Sequence, residues 1–340
     1  MTAFMQDIIE RAAETPRRIG LSEVESPDVL RLARRIVETE IGVPVLVGDA
    51  DASRRVACDA GIAMEGFEYF DTRNEVAVSE LVARYTAAFD DYSQKACTRR
   101  AKDPLLGAML FLKLGEVDCV AAGKECPTGD VVMAAMDIVG LAEGVSSPSS
   151  LGIAEIPGFQ GPQGAYLGLA DCAITVQPGV EELAGIAISS ADTARTLLGW
   201  EPRVALLSFS TLGSAEHESL ETIRSAVELV HRLRPELKCD GELQLDAAIL
   251  PNVATHKVKR PSEVAGRANV LIFPNLHAGN IGVKLVQIFG HANAYGPVLQ
   301  GFAKPVCDFS RSAPVDEMLG NVAMLVIRAA SEQQEGGKDA

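Results

Sequence analysis

The chain has 340 residues, of which 47% are apolar, 5% aromatic and 23% charged, with a formal net charge of −15. That length supports a large core and favours two domains over one. The acidic balance excludes a nucleic-acid surface, which needs a basic stripe, and sits awkwardly with a polyanionic ligand.

In chain order, Phe4, Ile8, Ile9 and Ala12 share one face of a first helix, followed by a short strand at 18–22. Pro27 opens a second helix with Leu30, Ala33 and Ile36 on one side. A buried strand at 43–48, a helix at 52–60 and a strand at 67–71 come next. Helices at 75–89 and 104–114 precede a strand at 117–122. Thr128 is placed to N-cap a helix at 129–139. Residues 144–164 are rich in Ser, Pro and Gly and read as a linker, a domain junction or a mobile loop. Alternation then resumes with a strand at 167–175 and a helix at 180–198 carrying Leu183, Ile186, Ala187 and Ala194 on one face. A strand at 203–209 and a helix at 214–233 with Leu220, Ile223, Val227 and Val230 follow. Residues 242–249 are mixed and 254–268 read as a polar connection. A strand at 270–273, a Pro/Asn/Gly-rich turn, an amphipathic helix and a strand ending at 308–311 lead to a last helix at about 314–330. The tail from Ser331 is expected to fray. Strand alternating with helix is the α/β signature, with right-handed crossovers and a parallel sheet expected.

The N-terminus carries acidic residues and no apolar core of a signal peptide, and no apolar run is long enough to span a bilayer. The seven cysteines are scattered, odd in number and contain no C-x-x-C, so they read as buried thiols in a reducing compartment. A cytoplasmic location is expected, with neither membrane nor nucleic acid as a partner and no metal.

There is no P-loop, no G-x-G-x-x-G and no G-x-S-x-G, and the five histidines lack zinc spacing. Three loops after strands carry small polar residues instead. Ser208, Ser210, Thr211, Gly213 and Ser214 can present O–H and N–H donors to an anion, or simply cap a helix. Asn275 and Asn280 lie in a second such loop, 274–280. In the third, 308–311, Arg311 with the preceding Ser310 can pair with phosphate or polarise a carbonyl, or form a surface ion pair.

Taken together, the blocks at 170–173, 186–194, 202–205, 208–214, 240–248, 269–280, 296–301 and 308–311 resemble the phosphate acetyltransferases and phosphate butyryltransferases, the phosphotransacetylases. The resemblance implies a two-domain, three-layer α/β/α fold like isocitrate and isopropylmalate dehydrogenases, with the active cleft between the domains. Residues 1–144 plus 300–340 would form one domain and 145–299 the other. It implies reversible transfer of an acetyl or short acyl group between coenzyme A and inorganic phosphate, with acyl phosphate as the other partner. Coenzyme A would be a co-substrate, no cofactor would be tightly bound, and the protein would be a homodimer.

Under the same resemblance Ser310 and Arg311 meet the oxyanion and phosphate, and Glu317 stands at the family's aspartate base position. Ser208, Ser210, Thr211, Gly213, Ser214, Asn275, Asn280 and Thr128 would bind substrate. Three family arginines are missing: one from the 91–97 segment, one replaced by Met133 and one by Ile288. Lys95, Arg99, Arg100, Lys102 and Lys124 lie where replacements could come from. The departures leave two other readings: a relative drawing its acyl group from a protein thioester, like the acetyl-phosphate-forming component of glycine reductase, and a non-catalytic paralogue binding a metabolite or partner protein.

Overall fold

A computed structural model describes residues 2–336. The chain forms two compact units: residues up to Gly140 together with those from Phe302 on, and Leu141–Gly301.

The first unit runs α1 (Ala3–Ala13), β1 (Arg17–Leu21), α2 (Pro27–Glu38), β2 (Gly42–Gly48), α3 (Ala50–Ala60) and β3 (Glu68–Asp71). Then come α4 (Glu75–Ala88), α5 (Gln94–Ala101), α6 (Pro104–Leu114), β4 (Cys119–Ala122) and α7 (Thr128–Ala134), which a π-helical turn extends over Ala135–Val139. The second unit contains β5 (Ser149–Glu155), β6 (Tyr166–Ala170), α8 (Val180–Leu198), β7 (Arg203–Leu207), α9 (Ser219–Leu233) and β8 (Lys238–Leu243). It continues through α10 (Leu245–Ile249), α11 (Pro251–Lys257), β9 (Val270–Ile272), α12 (Leu276–Phe289) and β10 (Asn293–Gln300). The chain then re-enters the first unit with β11 (Val306–Asp308) and α13 (Val315–Gly336).

In the first unit the strand order is β11-β4-β1-β2-β3, and every pairing is parallel. The chain moves outward through β2 and β3, then crosses back to lay β4 on the other side of β1. That reversal makes a topological switch point between the carboxyl ends of β1 and β4, where open α/β sheets bind ligands. The second sheet runs β10-β5-β6-β9-β7-β8. Its β6, β9, β7 and β8 are parallel, while β5 runs antiparallel to both of its neighbours, β6 and β10. Connections leave β7 and β9 in opposite directions, towards β8 and towards β10, which opens a second crevice at their carboxyl ends.

Helical spacing anticipated the cores. Leu183, Ile186, Ala187 and Ala194 of α8 and Leu220, Ile223, Val227 and Val230 of α9 are buried against the second sheet. Full burial of such Leu, Ile and Val side chains stabilises the fold by about 1.5–3 kcal/mol each. In α1, Met5 joins Ile8, Ile9 and Ala12 inside, and Phe4 is only half-buried.

The expectations for irregular segments need correction. The Ser/Pro/Gly stretch contains strand β5, whose buried Ser149 and Ser150 are satisfied by Gln300 and Asp171, so polar pairing replaces the apolar alternation that marks a strand. Strand β10 was hidden because it is an edge strand with a register shift between Tyr295 and Val298, where Gly296 and Pro297 sit. Helix α9 begins at Ser219 rather than at 214, and 254–268 contains the end of α11. The sequence at 94–101 forms α5, with Ser93 as its N-cap. Thr128 does not cap α7: Pro127 occupies that position and the Thr128 hydroxyl is used elsewhere. Helix α13 continues to Gly336, past the point where fraying was expected, and residues 337–340 lie outside the described residues.

Candidate active site

In the first unit, the loops leaving β1, β4 and β11 are tied together by a small set of charges. The Glu23 carboxylate accepts the backbone N–H groups of Lys124, Glu125 and Cys126 at 3.0, 2.9 and 2.8 Å. Such converging amides form an anion-binding concavity, and here the anion comes from the chain itself. Phe309 donates its amide to the Ala122 carbonyl at 2.7 Å, prolonging the β11–β4 ladder by one bond. Thr128 donates its hydroxyl to Asp308 Oδ2 at 2.6 Å. Gly123, at φ +94°, lets Asp308 come this close, since a Cβ there would overlap Asp308 Oδ1.

Ser310 and Arg311 follow on an exposed turn closed by the Ala313 amide on the Ser310 carbonyl, 2.9 Å. The Ser310 and Ser312 hydroxyls are 3.0 Å apart. Among the described residues the Arg311 guanidinium has no hydrogen-bond or ion-pair partner. Its carbonyl and that of Ala313 accept from the Lys124 ammonium at 3.2 and 2.9 Å. Glu317 lies in the first turn of α13; desolvation raises its carboxyl pKa, and the Lys124 charge partly opposes the rise. Thr128, Ser310, Arg311 and Glu317 therefore all belong to the carboxyl-end loops of the first unit and the helix starts that follow them.

Asp308 itself is 6% exposed and its Oδ1 has no partner. Burial pushes its pKa up to about 6; Thr128 pulls against the shift and Glu23 adds to it. Between the unfolded carboxyl value near 4 and about 6, the folded protein holds a proton that the unfolded chain has released. Stability therefore falls as pH rises through that window, and the full cost is present above it. Asp308→Asn should raise unfolding free energy at pH 7.5 by about 1–3 kcal/mol, with the gain shrinking as pH falls towards 4. Urea titrations at the two pH values check this; an equal effect at both would remove the electrostatic explanation.

The same unit has a cavity of 630 Å³ lined by Ser22, Glu23, Asp103, Asp130, Met133 and Asp137, with Leu105 and Leu106 among its apolar walls and no Lys or Arg in its lining. Met133 is 64% exposed there, so the missing arginine leaves an acidic and apolar wall. Arg100 does not replace it: its guanidinium binds Asp137 at 2.8 and 3.1 Å and stacks over Tyr92. Lys102 is held by Glu75 at 2.6 Å, and Lys124 serves the Arg311 turn.

In the second unit, the crevice between β7 and β9 is a 440 Å³ cavity lined by Leu183, Leu207, Ser208, Phe209, Phe273 and Asn275, among others. Asn275 both lines this cavity and caps α12 through the Ala278 amide, 3.0 Å. The turn expected at 274–280 is thus mostly helix. Gly279 sits inside it because a Cβ would strike the Asp171 carbonyl. Asn280 donates to the Cys172 carbonyl at 3.3 Å.

The Ser208–Ser214 loop has the donors expected of an anion site, but several point inwards. Ser210 donates to Glu242 Oε1 at 2.9 Å and the Gly213 amide to the same atom at 2.8 Å. Arg224 pairs with the other Glu242 oxygen at 2.9 Å. Burial opposes ionisation of Glu242, yet Arg224, the Gly213 and Glu242 amides and Ser210 together hold its pKa down to about 2. Thr211 exchanges hydrogen bonds with Gln244, and Ser214 accepts the Thr211 amide at 2.9 Å. Ser210, Thr211 and Gly213 are therefore committed to an internal carboxylate and its neighbour. Ser208 alone of the five lines the cavity.

Sequence reasoning assigned no role to Glu23, Glu242 or Asp308, and gave Lys124 only as one of five possible replacements. Glu242 lies within β8, so nothing in its local sequence marks it as the centre of a neighbouring loop. For Glu23 the partners lie about a hundred positions away, and nothing local indicates them.

Two α/β units with polar loops and a free arginine at strand carboxyl ends define a ligand-handling, enzyme-like class of protein rather than a scaffold. A family model described as Phosphate acetyl/butaryl transferase matches residues 3–326. The phosphate acetyltransferase of Thermoanaerobacterium thermosaccharolyticum is 40% identical over 335 residues, covering 96% of this chain and 99% of that protein. The crystal structure of a phosphotransacetylase from Streptococcus pyogenes superposes with a TM-score of 0.88 at 28% identity, covering 97% and 100% of the two chains. A 4-hydroxythreonine-4-phosphate dehydrogenase from Burkholderia phymatum shares the fold alone, with a TM-score of 0.50 at 12% identity over 92% of this chain and 98% of that one. The chain belongs to the phosphate acetyl/butyryl transferase family, and its dehydrogenase-like α/β architecture is the one the sequence resemblance implied.

Proposed function

We propose that the protein is a phosphate acetyltransferase, moving an acetyl group reversibly between coenzyme A and inorganic phosphate. The family relationship over nearly the whole chain supports this. The observation that carries the site is the exposed, unpartnered Arg311 guanidinium on a braced turn after β11. In the direction of thioester formation, the coenzyme A sulfur attacks the acetyl carbon, the carbon–oxygen bond to phosphate breaks, and phosphate leaves. Arg311 and Ser310 supply donors for the developing oxyanion and the leaving phosphate. Glu317 takes the thiol proton, a role that its raised pKa suits. Thr128 contributes by holding Asp308 beneath the turn. Ser208 and Asn275 would contact substrate from the walls of their cavity, with the exposed Gly213 and Ser214 beside them and Asn280 nearby on α12.

Coenzyme A is the co-substrate in this reading, and none of the chemistry needs a resident cofactor or metal. Neither a protein-bound thioester donor nor a non-catalytic role is favoured by any feature described above. No helix among the described residues is long and apolar enough to cross a membrane, and a cytoplasmic location fits the seven cysteines, none in a disulfide and five of them buried. The exposed Ile281, Leu285, Ile288 and Phe289 on α12 form an apolar stripe suited to a homodimer; sedimentation as a monomer at micromolar concentration would refute that part. The activity is tested by supplying purified protein with acetyl phosphate and coenzyme A and following thioester absorbance. Turnover with acetyl phosphate is expected, and absence of turnover with acetyl, propionyl and butyryl phosphate alike would overturn the reading.

A further inference from the structure

Lys124 lies in the loop after β4, and its side chain is 11% exposed. A lysine ammonium has three N–H donors and no acceptor. Here it donates to the Arg311 carbonyl at 3.2 Å and the Ala313 carbonyl at 2.9 Å, and it pairs ionically with Asp28 Oδ2 at 3.2 Å. Its own backbone amide is fixed by Glu23 at 3.0 Å. The turn that carries Ser310 and Arg311 is thus clamped from β4 through its carbonyls, leaving the Arg311 side chain free.

We propose that Lys124 is a positioning residue: it holds the backbone of the Ser310–Ala313 turn so that the Arg311 guanidinium is aimed at the reacting group. The turn geometry carries this, and the kinetic readout below rests on the proposed activity. A fixed guanidinium is worth far more to a developing charge than a mobile one, because the orientation is set before the reaction begins.

The test compares wild-type protein with Lys124→Met and Lys124→Arg, each also made with Arg311→Lys. Hydrogen exchange of the 309–315 segment, read by mass spectrometry on the full-length protein, should be faster in Lys124→Met and near wild type in Lys124→Arg. This arm needs no catalytic activity, so it judges the clamp even if the protein fails to make acetyl-CoA. In the acetyl-CoA assay, Lys124→Met should lower kcat by about tenfold with KM values changed less than about threefold. Lys124→Arg, which keeps charged N–H donors for the two carbonyls, should restore kcat towards wild type. On the Arg311→Lys background the loss from Lys124→Met should shrink to about threefold or less, because the two residues act through one orientation. Unchanged exchange in 309–315, or a full tenfold loss on the Arg311→Lys background, would overturn the positioning role. Should Lys124→Met fail to fold, Lys124→Gln carries the same comparisons.

Discussion

Arg311→Ala should lower kcat/KM for acetyl-CoA formation by about 10²–10³-fold, the usual cost of deleting one preorganised oxyanion or phosphate donor. The melting temperature should stay within about 2 °C, because an exposed side chain away from any cap, core or ion pair contributes little to folding. Those two expectations come from one fact: the guanidinium makes no ion pair or hydrogen bond among the described residues, while the backbone beneath it is bonded at the Arg311 carbonyl. Arg311→Lys keeps the charge and loses the planar fork, so it should fall between the two, with the larger part of the loss in kcat. Enzyme assays and circular-dichroism melts on the same preparations check both numbers. Wild-type turnover in the alanine variant would show that the turn is not where the chemistry occurs.

Glu242→Ala should be the most destabilising single change in the second unit. The carboxylate is 1% exposed and satisfies Ser210, the Gly213 amide and Arg224 together. Removing it leaves the buried Ser210 hydroxyl and the Gly213 amide without that acceptor and leaves Arg224 with Glu221 and the Ala215 carbonyl. Breaking a buried pair costs about 3–5 kcal/mol, and since the Arg224 side chain is 32% exposed, water takes up part of the loss and about 3 kcal/mol is expected. Glu242→Gln, which keeps an acceptor for Ser210 and Gly213, should cost less. Because the native pKa is held low, the stabilisation from Glu242 is present above the unfolded carboxyl value and disappears as pH falls from about 4.5 towards about 2. The destabilisation should therefore be large at pH 7 and should shrink in acid. Equilibrium denaturation measures it, and a change below about 0.5 kcal/mol at pH 7 would remove Glu242 as the centre of the loop.

Residue spacing carried the regular parts of the fold further than the site. The α8 and α9 faces were legible because one helical stripe meets one sheet, and the answer lies within a dozen neighbouring residues. Strands β5 and β10 were not, since Ser149 and Gln300 bury polar groups that satisfy each other across 151 positions, and Ser150 is satisfied by Asp171. The Ser208–Ser214 loop shows the same limit at the site. Its donors could be read as seeking an anion, and they do converge on one, but which anion depends on Glu242, brought alongside by the β7–β8 pairing. Arg311 was easier: a side chain with no internal partner leaves no long-range contact to miss. Lys124 was the hardest, because its role is to bind backbone carbonyls, which every residue possesses and no side-chain pattern reveals.

The return of the chain to its first unit bears on how the molecule is made. Strand β11 can pair with β4 only after Leu141–Gly301 has emerged, and α13 must then pack on α1 and α2, whose residues left the ribosome some three hundred positions earlier. The second unit is continuous and can close on itself during synthesis, whereas the first waits with an open sheet edge at β4. The Arg311 turn is completed at the same late moment. A nascent or prematurely terminated chain would therefore carry a folded second unit and an unfinished first, without the turn on which the proposed chemistry rests: in that reading the order of translation itself withholds activity until the fold is closed.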